Sequence, residues 1–142
     1  MYQIIYKSES LIPESESENQ IRGILETSLS NNQKDGITGL FLLIENRFVQ
    51  MLEGEESAVL ACMARIEKDS RHKDVKVVLK RTTESRTFPD WSMYFYKLNG
   101  DEALQKIGVE KLESLGISNW QDHFKDNLAV MLVESFARLA SH

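Results

Sequence analysis

The sequence predicts an α+β fold: a ferredoxin-like sandwich with a five-stranded mixed sheet, two helices on one of its faces, and further helices at the C-terminus. Three observations predict it. Five short segments read as strands, by period-two alternation or, in Ile37 to Ile44, by an apolar run, and apolar residues recur at helical spacing in two longer segments among them. The order of these segments is β-α-β-β-α-β-β, the ferredoxin-like order with one strand added. The length of 142 residues suits one compact domain, with about forty residues over if its core unit is near a hundred.

Tyr2 to Ser8 reads as a strand, with Ile4 and Tyr6 on one face and Ile5 on the other. Residues 9–19 form a polar acidic loop broken by Pro13, with acids suited to the positive end of a following helix. That helix runs to about Ser30 on Ile21, Ile24, Leu25 and Ser28. Asn31-Asn32 ends it, and Asp35-Gly36 marks a turn. Ile37 to Ile44 is apolar on both faces and therefore a central strand. Only Glu45-Asn46 separates it from Arg47 to Leu52, which is hairpin spacing. Glu53-Gly54-Glu55-Glu56 closes that strand and opens a second helix on Val59, Leu60, Met63 and Ile66, ending near Asp69. Lys73-Asp74 leads into a fourth strand, Val75 to Lys80. A polar connector, Thr82 to Pro89, leads to the fifth, Trp91 to Leu98, where Trp91, Met93 and Phe95 alternate with Ser92, Tyr94 and Tyr96.

Asn99-Gly100 is a clear break, dividing the chain into residues 1–98 and 99–142. Leu104 and Ile107 suggest a short helix, Gly108 and Gly116 interrupt, and Leu112 and Leu115 fit a further turn or two. Phe124, Leu128, Met131, Leu132, Phe136 and Leu139 then form a long apolar stripe at helical spacing. A helix of this kind packs on the free face of the sheet, or forms an oligomer or partner surface. The two are compatible if each side does one.

Composition excludes several classes of function. With 17 Lys+Arg against 22 Asp+Glu the net charge is −5, which argues against nucleic acid as the main partner, and no basic face or recognition helix is evident. No apolar run approaches the roughly 18–20 residues of a membrane span, and MYQIIYKSES lacks the features of a signal peptide. The lone Cys62 excludes an internal disulfide and a Cys-based zinc site, so a cytoplasmic setting is the expectation. Only His72, His123 and His142 are histidines, and no metalloprotease, serine-hydrolase or Walker A motif occurs, so no metal site is expected. The closest glycine pair, Gly36 and Gly39, does not make a dinucleotide-binding turn.

A few polar residues stand out against this background. Gln50 shares a strand face with Phe48 and Leu52, between apolar neighbours. A buried amide left unmet costs about 1–3 kcal/mol, so it serves either a structural hydrogen bond or a ligand. Tyr6 has the core-facing position on its strand, where a hydroxyl needs a partner. Asn31-Asn32 reads either as a helix cap or as a pair of amides able to grip a flat heterocycle. Trp91-Ser92-Met93 reads as a strand with a core Trp. Arg65, Arg71 and His72 form either a solvated basic patch or a phosphate site, with Glu67, Lys68 and Asp69 mixing the charge.

Five segments, IIYKS, SNNQKDGITGLFLL, RFVQMLEGE, ARIEKDSRH and RTFPDWSMYF, together resemble the BLUF family of flavin-binding blue-light sensors, in its order and at its spacing, from Met1 to about Leu98. The resemblance implies the same ferredoxin-like fold and a non-covalent flavin, FAD or FMN. It implies that Tyr6 is the electron donor to photoexcited flavin, and that Gln50 is the glutamine between that tyrosine and the flavin edge, whose amide rotates or tautomerises. It implies that Asn32, with Asn31 beside it, meets the ring's carbonyl and N3 edge. Ser28 matches a polar residue near the tyrosine. Trp91 and Met93 match the pair on the fifth strand that can exchange places near Gln50. Arg65 and His72 fall where the family holds the ribityl or phosphate portion, and Asp69 joins the cofactor-binding set. Ile24, Phe48, Leu52 and Ile66 would line the ring slot.

The function so implied is a photoreceptor and not an enzyme. The roughly 44 residues after the sensor unit are too few for a cyclase or phosphodiesterase domain. Output is therefore expected through a downstream signalling protein or a change in a homo-oligomer. A small flavin oxidoreductase would need a nicotinamide motif, which is missing. A flavin-free regulatory module is separated from the photoreceptor by the bound chromophore itself.

Overall fold

The computed structural model describes residues 1–88, 94–98 and 126–140. The first strand, β1, spans Tyr2–Ser10 and is followed by a 3-10 turn at Glu14–Glu16. Helix α1 spans Ser17–Asp35, β2 Thr38–Ile44, β3 Arg47–Gly54, α2 Glu56–Glu67, β4 His72–Thr82 and β5 Tyr94–Leu98. A C-terminal helix, α3, spans Asp126–Ala140. The sheet order is β4-β1-β3-β2-β5. The first four strands pair antiparallel, and β5 adds in parallel to β2. This is the α+β ferredoxin-like architecture with one strand added at the β2 side.

Alternation along the strands sorts the core into two layers. Ile4 and Tyr6 of β1, Phe41 and Leu43 of β2, and Phe48 and Leu52 of β3 face α1 and α2. Ile5, Leu40, Leu42, Ile44, Val49 and Met51 face the other way and pack with α3 through Ala129, Leu132, Val133 and Phe136. These four follow i, i+3, i+4, i+7, so α3 lies on the otherwise free sheet face. Tyr96 and Phe136 bring their rings to 4.7 Å there. Leu132 and Phe136 of the predicted stripe are buried there, Met131 packs half-buried against the same cluster, and Ala129 and Val133 join the contact. A small residue allows close helix–sheet approach, which a count of large apolar residues overlooks. Phe124 and the helix and turns suggested around Leu104, Ile107, Leu112 and Leu115 lie outside the described residues, as do the side chains of Leu128 and Leu139.

Several boundaries move for identifiable reasons. Asn31-Asn32 does not end α1. The helix continues to Asp35, and Gly36 stops it in the left-handed region at φ 69°, where glycine has no Cβ to clash. The Asn32 carbonyl accepts the N–H of Gly36 and that of Ile37. β4 is longer than Val75–Lys80 because β1 itself reaches Ser10, which pairs with His72. Between the pairs Lys7–Lys76 and Glu9–Lys73 the register shifts by one residue, and Asp74 sits there at φ 55°. On α2, Leu60 turns outward, 43% exposed, and Cys62 joins Val59 and Met63 on the buried side. Trp91 and Met93 lie outside the described residues. No described helix is long and apolar enough to cross a membrane.

Candidate functional site

The helices α1 and α2 cover the same sheet face as separate clusters, and a cavity of about 180 Å³ opens between them. Its floor comes from cross-strand pairing. Gln50 on β3 pairs directly with Tyr6 on β1 and with Phe41 on β2, so the three side chains form one row. Phe48, two residues along on the same face, stacks on Phe41 at 5.0 Å. The first wall comes from α1, where Ile24, Thr27, Ser28, Asn31 and Asn32 recur at helical spacing. The second comes from the α2 end and the start of β4: Cys62, Arg65, Ile66, Asp69, Arg71 and His72.

Tyr6 and Gln50 are both buried, and the Tyr6 hydroxyl donates to the Gln50 Oε1. This bond orients the amide, with its carbonyl toward the tyrosine. Burial pushes the Tyr6 pKa far above the ordinary phenol range, with smaller contributions from Cys62 and Asp69, which would repel a phenolate. The phenol therefore keeps its proton. In the unfolded chain the same group ionises near the ordinary pKa of about 10. The folded state then holds more protons above that pH, so stability falls as pH rises through it. Tyr6→Phe is expected to show a shallower loss of stability above about pH 10, measured by urea unfolding of the variant and its parent. Parallel curves would show that the phenol titrates normally.

His72 braces the cavity wall. Its Nε2 lies 2.6 Å from the Ile66 carbonyl, and its Nδ1 2.8 Å from the Ser8 Oγ. A carbonyl only accepts, so Nε2 carries hydrogen, and in the neutral ring Nδ1 accepts from the serine. Both ring nitrogens are thus engaged by the protein. The ring stands edge-on to Tyr6 and to Phe48, each at 6.3 Å.

Charge gathers at the mouth. Arg65 reaches Asp35 across the end of α1 at 3.4 Å. Arg71 grips Asp69 through both guanidinium branches, with Nε 2.8 Å from Oδ1. The Arg71 hydrogen bonds hold the Asp69 carboxyl below the usual carboxylate range, and the same pairing raises Arg71. Burial pushes the Cys62 thiol up, opposed by the neighbouring Arg65.

The cavity gathers Tyr6, Ile24, Ser28, Asn31, Asn32, Phe48, Gln50, Arg65, Ile66, Asp69 and His72 from the sequence reading. Leu52 faces the same side but packs with Ile4, Ile37 and Val59, beyond the cavity. Asn32 is buried and Asn31 exposed, because adjacent helix positions point about 100° apart. Thr27, Phe41 and Cys62 were not singled out from sequence. Phe41 was within reach: a two-residue turn pairing Ile44 with Arg47 places Phe41 opposite Gln50. Thr27 and Cys62 fall one helical turn from Ile24 and Ile66.

An apolar slot between Ile24, Ile66 and the two phenylalanines, with carboxamides at its floor and wall, suits a flat ring that has apolar faces and a heteroatom edge. The residues present fit a flavin.

Comparison with known proteins agrees. Residues 1–94 match the BLUF family, described as sensors of blue-light using FAD. The photoactivated adenylate cyclase subunit beta of Euglena gracilis is 35% identical over 74 residues, covering 51% of this chain but 9% of that protein. The dark-state structure of the BLUF protein BlrB is similar with a TM-score of 0.72 at 27% identity, covering 96% of this chain and 95% of BlrB. A bacterial light-regulated adenylyl cyclase is similar with a TM-score of 0.65 at 30% identity, over 81% of this chain and 32% of the cyclase. Fold, cavity and family match converge: the chain belongs to the BLUF family of blue-light sensors that bind flavin non-covalently.

Proposed function

We propose that Tyr6 and Gln50 read the excited state of a bound FAD or FMN, and that residues 99–142 carry the signal to a second copy of the chain or to a downstream signalling protein. The observation that carries this reading is the buried hydrogen bond from Tyr6 to Gln50 at the cavity floor. The flavin, when bound, absorbs blue light and becomes a strong one-electron oxidant. Tyr6 supplies the electron. A phenol that loses an electron becomes strongly acidic, and its proton has a ready acceptor in the Gln50 Oε1. Rearrangement of the Gln50 amide then exchanges donor and acceptor ends within the row Tyr6–Gln50–Phe41. Asn32 and Asn31 hold the ring edge, Ile24, Phe48 and Ile66 flank its faces, and Ser28 lies near the tyrosine. Arg65 and His72 meet the ribityl or phosphate tail, with Asp69 and Arg71 lining the same cavity. The resemblance assigns Trp91 and Met93 a place near Gln50.

The matched stretch is a small part of the Euglena cyclase subunit, so cyclase activity belongs to that protein and is not carried to this chain. The sensor unit, residues 1–98, contributes no catalytic step of its own. Packing of α3 on the sheet face opposite the cavity supports an output through that helix.

Tyr6→Phe is expected to bind flavin, keep the dark spectrum, and lose the reversible red shift of the flavin band under blue light. Light-minus-dark absorption spectra of the purified protein test this. A variant that shifts like its parent would remove Tyr6 from the mechanism.

A further inference from the structure

A second polar cluster lies on the α3 side of the sheet, away from the cavity. Gln3, Glu53 and Thr38 form one cross-strand row on β1, β3 and β2. Glu53 is fully buried. Its carboxylate accepts from Gln3 Nε2 at 2.8 Å, from Thr38 Oγ1 at 3.3 Å, from the Thr87 backbone N–H at 2.8 Å, and from the Phe88 N–H.

The directions are fixed by the outer partners. Arg81 Nε donates to the Gln3 Oε1 at 2.7 Å, so the Gln3 NH2 group must face Glu53 and the Thr87 Oγ1. Arg86 Nη1 donates to Thr38 Oγ1 at 2.9 Å and to the Glu53 carbonyl at 3.1 Å, while Nη2 reaches the Gly36 carbonyl at 2.6 Å. The Thr38 hydroxyl therefore spends its own proton on Glu53. Two guanidinium charges reach the buried carboxylate through neutral relays. Such a group is tolerated only when fully met, and two of its four donors are backbone N–H groups of the β4–β5 connector. Phe88 is itself fully buried in the cluster that holds Leu132 and Phe136 of α3. Gln50 and Glu53 lie on one strand with their side chains on opposite faces of the sheet.

We propose that Glu53 is a positioning residue that couples β3, the strand bearing Gln50, to the seating of Phe88 and hence to α3. The coupling rests on the photochemical reading above. Gln50 acts on one face of β3, and Glu53 converts strand position into connector position on the other.

The test is Glu53→Gln, with hydrogen exchange followed in the dark and under blue light beside the absorption spectrum. The Thr87 and Phe88 N–H groups meet different carboxylate oxygens, so the glutamine keeps an acceptor for one and turns its NH2 group toward the other. Of the Thr87 and Phe88 amides, the one that faces the NH2 group is expected to exchange roughly ten- to hundredfold faster in the dark. In the parent, light changes exchange in α3. In Glu53→Gln the red shift persists and the α3 difference is lost. Arg86→Ala, which removes only the outer clamp and leaves no buried charge alone, should reduce the α3 difference in the same direction if Glu53→Gln fails to fold. A purely structural Glu53 would quicken exchange at 87–88 yet leave the light-dependent α3 difference intact, and that result overturns the coupling. A red shift in the parent with no light-dependent change in α3 also overturns it. Absence of the red shift in the parent overturns the photochemical reading, and the coupling with it.

Discussion

Gln50→Leu is expected to bind flavin and show no reversible red shift. Leucine nearly matches glutamine in volume but removes both the acceptor for the Tyr6 hydroxyl and the amide that rearranges. The site is already apolar on several sides, through Ile24, Phe41, Phe48 and Ile66, so the substitution is sterically mild. Its cost is the unmet Tyr6 hydroxyl, about 1–3 kcal/mol, which a domain of this size tolerates. Binding survives because the ring faces and the Asn32 side of the cavity are untouched. The photochemical loss is complete because no other described side chain accepts from Tyr6. Light-minus-dark spectra decide the matter: a shift equal to the parent's would mean that the read-out does not pass through the Gln50 amide.

Gly39→Ala is expected to cause a large loss of stability, greater than Gly54→Ala. Gly39 pairs with Leu52 on β3. A Cβ placed on it would lie 1.9 Å from the Met51 carbonyl oxygen and 3.0 Å from its carbon. The obstacle is backbone of the central strand, which cannot swing aside as a side chain would. Strands β2 and β3 must separate locally or lose pairing, at a cost near the upper end for overpacking, about 3 kcal/mol. The urea midpoint should fall sharply with little change in slope. A midpoint within error of the parent's would mean that the two strands have slack. The damage lies on the strand that carries Gln50, so flavin retention should weaken in step with stability.

The sequence disclosed the parts of this molecule that depend on periodicity and missed those that depend on proximity across the chain. Alternation in β1 and β3 was enough to put Tyr6 and Gln50 on one face, because side-chain direction in a strand is set by position alone. Family resemblance then supplied their roles. The extent of α1 was misread because asparagine and glycine both favour helix C-termini, and the choice fell to Gly36. Arg71, with Arg65 and His72, reads from sequence as either a solvated basic patch or a phosphate site, yet its guanidinium is committed to Asp69, a pairing of near neighbours that composition cannot reveal. Glu53 was read as the acidic end of a strand. Its burial follows only from the connector folding back to it from residues 87–88, a distance in sequence that no local pattern spans.

The outermost strand carries one more consequence. β4 ends the sheet order, and its partner on one side is β1 alone. Along it Lys73, Asp74, Lys76, Lys80 and Arg81 are exposed. A second chain adding there by strand pairing would set a mostly cationic row against its own kind, and the irregular backbone at Asp74 would break its ladder. Like charge and a kinked edge thus guard the protein against fibril-like accretion at that side.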